Sequence, residues 1–152
     1  MNITKLAIGG VVLIALTAGL VALSKPGDKN APAATAQASS TPTAITHLTP
    51  PAAQTLIAAK QSDPGFVILD VRTAAEFAAG HIATARNIDF YAPDISAQIA
   101  ALDHAATYLT YCHTGNRSGK VAQMMQSLGF AHIYDLSGGI QAWQAASLPV
   151  QQ

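Results

Sequence analysis

Between Ile45 and Gln152, short strand-type runs alternate with helix-type segments, and few folds are compatible with that alternation. Phe66-Val67-Ile68-Leu69 is a continuous apolar run, as expected of a strand covered on both faces. Thr107 to Tyr111 is β-branched and aromatic, a strand by propensity, and Arg86 to Ile88 and Ile133-Tyr134 are two shorter candidates. Helix signals lie between them. Thr49 precedes Pro50-Pro51 as an N-cap, and Thr73 with Glu76 forms a capping box closed by Gly80, expected in the left-handed conformation. Ile95 to Leu102 and Ile140 to Ala146 read as helices, as does Ser118 to Leu128, whose Val121, Met124, Met125 and Leu128 recur at helical spacing before Gly129. The expected architecture is α/β: a small parallel sheet flanked by helices on both faces, with its site at the carboxyl ends of the strands.

The first 44 residues stand outside this pattern. Leu6 to Leu23 is uncharged, with Thr17 its only polar side chain, and a helix of that length reaches about 27 Å, close to the hydrocarbon thickness of a bilayer. Residues 1–24 are therefore expected to form a transmembrane anchor, with cleavage as a signal peptide after a weak Ala22-Leu23-Ser24 site as the alternative. Lys5 on the inner flank predicts a bacterial inner-membrane protein whose domain faces the periplasm, or a periplasmic or secreted one after cleavage. Pro26 to Ala44 holds no Val, Ile, Leu or aromatic residue, so residues 25–44 read as a flexible linker to a domain at 45–152. A formal net charge of zero argues against nucleic acid as a partner, since a duplex binder needs clustered Lys and Arg.

Cys112 is the only cysteine, so no intramolecular disulfide can form. It directly follows the strand 107–111 and opens the loop Cys112-His113-Thr114-Gly115-Asn116-Arg117-Ser118 that leads into a helix. Such a loop can turn its backbone N–H groups toward one point at the positive end of the helix dipole, making an anion-binding nest. Gly115 permits a positive φ there, and Asn116 tolerates one better than most residues. A thiol at the bottom of the nest ionises readily, and Arg117 adds a permanent, forked donor suited to oxyanions. These residues prepare a nucleophile and an anion cradle together, where an isolated cysteine would read as a buried, inert thiol.

The loop resembles the Cys-x-x-Gly-x-Arg active-site loop of the rhodanese family. Leu69-Asp70-Val71-Arg72 with Glu76-Phe77 and Gly80-His81-Ile82 resembles that family's first signature. Leu128-Gly129-Phe130, Leu136-Ser137-Gly138-Gly139-Ile140 and Trp143 resemble its C-terminal one. The sequence departs from the family at Thr84-Ala85, where Gly-Ala is usual, and at Asp89, where proline is usual. The resemblance implies a sulfurtransferase in which Cys112 carries sulfur as a persulfide, without metal or organic cofactor. His113, Thr114, Gly115, Asn116, Arg117 and Ser118 would bind the substrate. The implied partners are a thiosulfate or persulfide donor and a thiol or cyanide acceptor, with a protein persulfide as a further candidate.

Asp70 and Arg72 are supporting candidates, Asp70 anchoring a turn and Arg72 pairing with Glu76 four residues on. His81 is expected to be hydrogen-bonded within the fold, His113 to tune specificity, and Trp143 to lie in the core beneath the site. The five histidines show no ligand spacing, so no metal site is expected. Two other functions compete. Cysteine phosphatases use the same nest, but they place Arg six positions after Cys, whereas Arg117 is five after Cys112 and leaves a smaller cradle. A tethered persulfide relay or binding module would keep Cys112 and Arg117 yet turn over small donors poorly.

Overall fold

A computed structural model describes residues 43–152. The expected anchor, signal segment and most of the linker lie outside the described residues. Ten elements follow in order: β1 Ile45–Leu48, α1 Pro50–Lys60, β2 Phe66–Asp70, α2 Ala74–Ala79, β3 Arg86–Asn87, α3 Ile95–Ala100, β4 Thr107–Tyr111, α4 Asn116–Ser127, β5 His132–Leu136 and α5 Gly139–Ala145. The five strands form one parallel sheet in the order β1-β5-β4-β2-β3.

Strand alternation divides the core into two layers. On one face Leu69, Tyr108 and Ile133 meet Ile99 of α3 and Val121 and Met125 of α4. On the other, Ile68, Leu109 and Leu136 meet Ala53 of α1 and Ile140 and Trp143 of α5. The α/β reading with helices on both faces describes this domain. β4 is central and buried along its whole length, so its two threonines lie inside the protein. Thr110 meets that cost by donating to the Tyr134 carbonyl at 3.2 Å and the Asp135 carboxylate at 3.1 Å.

Several boundaries differ from expectation. β1 was not foreseen: two of its four residues, Thr46 and His47, are polar and exposed, because it is an edge strand. α4 starts at Asn116, which is helical, so Gly115 alone in the loop takes a positive φ (95°). Thr49 precedes α1 but its side chain makes no capping bond, while the Thr73–Glu76 box is fully formed. Gly80 ends α2 at φ 152° and ψ 134°, away from the left-handed helical conformation. That geometry leaves its carbonyl to accept from the Arg72 guanidinium at 2.7 Å. His81 Nδ1 meets the Phe77 carbonyl at 3.1 Å, and Trp143 is buried with its indole N–H donating to Pro149 at 2.9 Å.

Candidate active site

The parallel topology brings the ends of β2, β4 and β5 together, and the 112–118 loop leaves from the central one. Two backbone bonds from the first turn of α5 hold the loop's outer side: Ile140 N–H donates to the Cys112 carbonyl at 2.9 Å and Gln141 N–H to His113 at 3.1 Å. With these carbonyls turned toward α5, the loop's own N–H groups converge on the sulfur. Gly115 N–H donates to Cys112 Sγ at 3.1 Å. The polar groups of Ser118 and the backbone N–H of Thr114 also favour the thiolate, while the Ser118 hydroxyl itself donates to the Gly115 carbonyl at 3.3 Å. Burial by itself pushes the Cys112 thiol up, and these donors outweigh it, leaving the thiol below its ordinary value. Ser118 is buried at the floor of the loop, whereas His113, Thr114 and Asn116 are exposed at its rim.

The close approach of α5 needs Gly139, at φ 59°. A Cβ there would overlap the carbonyls of Cys112 and His113, coming within 2.6 Å of the His113 oxygen. Gly138-Gly139 belonged to the sequence signature, but its physical purpose shows only in the packing.

Arg117 does not stand free. Its Nη1 and Nη2 donate to Glu76 Oε2 and Oε1, both at 2.8 Å, and its guanidinium lies 5.7 Å from the exposed Tyr91 ring. Arg117 foremost, helped by Thr73, pulls the Glu76 carboxyl down to about 2. The Arg72–Glu76 pair expected from their spacing is therefore absent. Arg72 precedes the helix cap, so the side-by-side geometry of a helical face does not apply to it, and the capping box turns Glu76 back toward the loop. Arg72 instead donates to Asp70 at 2.6 and 3.0 Å, both groups buried. The Asp70 carboxylate also receives the Arg72 backbone N–H at 2.9 Å, the turn anchor anticipated for it. No hydrogen bond of Asp70 or Arg72 reaches residues 112–118, so these two brace the end of β2 and the exit from α2. Glu76 and Tyr91 join the site's surroundings without having been singled out for it. For Glu76 the signal was available, since a capping glutamate points back along the chain. Among the described residues no three His, Cys, Asp or Glu side chains gather as metal ligands.

Comparison with known proteins agrees with this geometry. The model of the Rhodanese-like domain family matches residues 52–146. The chain is 38% identical over 81 residues to the thiosulfate sulfurtransferase GlpE of Pseudomonas putida, covering 53% of this chain and 72% of that protein. Among solved structures, a rhodanese-related protein from Thermoplasma volcanium is 26% identical with a TM-score of 0.58, covering 70% of this chain and 97% of that one. A rhodanese-like domain protein from Staphylococcus aureus is also 26% identical, with a TM-score of 0.57 and 70% and 99% coverage. This chain belongs to the rhodanese-like domain family.

Proposed function

We propose that the protein is a sulfurtransferase that carries sulfane sulfur on Cys112. The observation that carries this reading is the Gly115 N–H donating to Cys112 Sγ at 3.1 Å. It belongs to a donor set that lowers the thiol in a chain of the rhodanese-like family. With thiosulfate as donor, the Cys112 thiolate attacks the sulfane sulfur and an S–S bond forms at Cys112. The electron pair of the broken donor bond leaves with sulfite. The terminal persulfide sulfur is then attacked by a thiolate or cyanide, and the Cys112 S–S bond breaks with its electron pair returning to Cys112. The N–H groups that converge on the sulfur stabilise the thiolate and persulfide anions in turn. That the P. putida relative is named a thiosulfate sulfurtransferase supports the donor class.

The Glu76–Arg117 pair favours a second form of this function, a persulfide relay with little turnover of small anions. Both terminal nitrogens of Arg117 already bond to a carboxylate, so an anionic donor must displace it. Transfer from thiosulfate to cyanide by wild type and Cys112→Ser tests the main reading. Wild-type turnover that disappears in the folded variant supports it. Turnover retained without the thiol overturns it, and sulfur acceptance only from a protein persulfide selects the relay.

For its location, the Leu6–Leu23 run and Lys5 support an uncleaved anchor holding the domain on the periplasmic side of a bacterial inner membrane. N-terminal sequencing of membrane and soluble fractions tests this: a soluble form beginning near Lys25 would establish signal cleavage instead.

A further inference from the structure

The turn between β3 and α3 sets two aromatic rings against two cations of α4, and the transfer mechanism uses neither ring. Asp89 Oδ1 accepts the Tyr91 N–H at 2.8 Å and the Asp89 carbonyl accepts the Ala92 N–H at 3.0 Å, so the turn is fixed and carries Phe90 and Tyr91 side by side. Their rings stand edge to face at 5.3 Å. Phe90 packs on the core behind it, whereas Tyr91 is 67% exposed, the most exposed large apolar side chain among the described residues.

Facing these rings, Arg117 and Lys120 lie three residues apart on one side of α4. The Arg117 guanidinium is 5.7 Å from the Tyr91 ring and Lys120 Nζ is 6.0 Å from the Phe90 ring. The two cations differ in what holds them. Arg117 has both terminal nitrogens on Glu76, while Lys120 is exposed and, among the described residues, in no ion pair. The charge open to a ligand is therefore that of Lys120, one helical turn beyond Arg117 and about 4.5 Å farther along α4 from the Cys112 loop. A compact anion on the sulfur is met by the N–H groups of the loop. An anionic group carried several bonds away from a thiol is met by Lys120, with the intervening carbon chain against Tyr91.

We propose that Tyr91 and Lys120 determine acceptor specificity, selecting an organic thiol that bears an anionic group several bonds from its sulfur. This rests on the reading of Cys112 as the sulfur carrier and deepens it. The acceptor's carbon chain covers the exposed Tyr91 ring, and its anionic end pairs with the Lys120 ammonium. The acceptor thiolate attacks the terminal sulfur of the Cys112 persulfide and an S–S bond forms to the acceptor. The bond at Cys112 breaks with its electron pair left on the cysteine sulfur, and the acceptor departs as a persulfide anion.

The test loads the full-length chain with thiosulfate, removes the donor, and measures single-turnover unloading by two acceptors of equal length, 6-mercaptohexanoate and 6-mercaptohexanol. Their end groups are remote from the thiol, so a difference in rate reads the contact made by the end group. Wild type should favour the carboxylate by about two- to fivefold, and Lys120→Gln should abolish that preference. Tyr91→Ala should slow both thiols several-fold relative to cyanide, which has no chain to lay on the ring, and Tyr91→Phe should restore them. Equal rates for the two thiols in wild type, a preference that survives Lys120→Gln, or a thiol-to-cyanide ratio untouched by Tyr91→Ala overturns the proposal. Failure of the sulfur-transfer reading appears separately, as a wild type that never takes up sulfur. The same two thiols titrated into Cys112→Ser, followed on the Tyr91 ring protons by NMR, decide the inference by binding alone. Tighter binding of the carboxylate supports it, and equal binding or unmoved ring signals overturn it.

Discussion

Both terminal nitrogens of Arg117 face the Glu76 carboxylate at 2.8 Å, joining the helix that follows β2 to the helix that follows β4 across the mouth of the Cys112 loop. The charge expected to meet the substrate is thus already met by the protein, in a planar two-point geometry that Lys could not reproduce.

Glu76→Gln should release Arg117 toward the site. The expected outcome is a several-fold rise in kcat/KM for thiosulfate and a smaller change for a neutral persulfide donor. Equal changes for both donors would show that Arg117 does not meet the donor's charge.

The same pair makes a pH prediction. The folded-state pKa of Glu76, about 2, lies below its ordinary 4.5. A carboxyl depressed on folding contributes stability that is present above about 4.5 and lost as pH falls toward about 2. Urea midpoints across that window should decline less steeply in Glu76→Gln than in wild type.

Thr84 has φ 64°, a left-handed conformation unfavourable for a β-branched residue, at the position where the family usually carries glycine. Because the side chain is exposed, Thr84→Gly loses little packing and should stabilise the fold by about 1 kcal/mol. A lower urea midpoint would mean that the turn tolerates threonine without strain.

Glycines 139 and 119 form a matched pair. Gly139→Ala places a Cβ against the Cys112 and His113 carbonyls, so α5 must back away from the loop it anchors. Stability should fall by about 1–3 kcal/mol, with sulfur transfer reduced further than that loss explains. At Gly119, inside α4, a Cβ meets nothing within 4 Å, and Ala should raise stability by up to about 1 kcal/mol at unchanged activity.

What the sequence disclosed follows the range of the interactions involved. β2, β4 and the Thr73–Glu76 box were legible because apolar runs and caps are local, and the Cys112 loop because it is contiguous. The Arg72–Glu76 spacing misled, since the decision lay with Arg117, distant in sequence and adjacent in space. Edge strand β1 carries only four residues, two of them exposed, too weak a pattern to register alone. The Gly139 contact joins α5 to the Cys112 and His113 carbonyls, a packing of segments apart in sequence that no local pattern encodes.

The central claim is that Cys112 carries the sulfur, and mass spectrometry of the intact chain after incubation with thiosulfate tests it most directly. The account predicts a gain of one sulfur atom, mapped to the peptide containing Cys112, removed by cyanide or a thiol and absent from Cys112→Ser. A wild-type chain that remains at its unmodified mass with both thiosulfate and persulfide donors, or sulfur found elsewhere than Cys112, would contradict it.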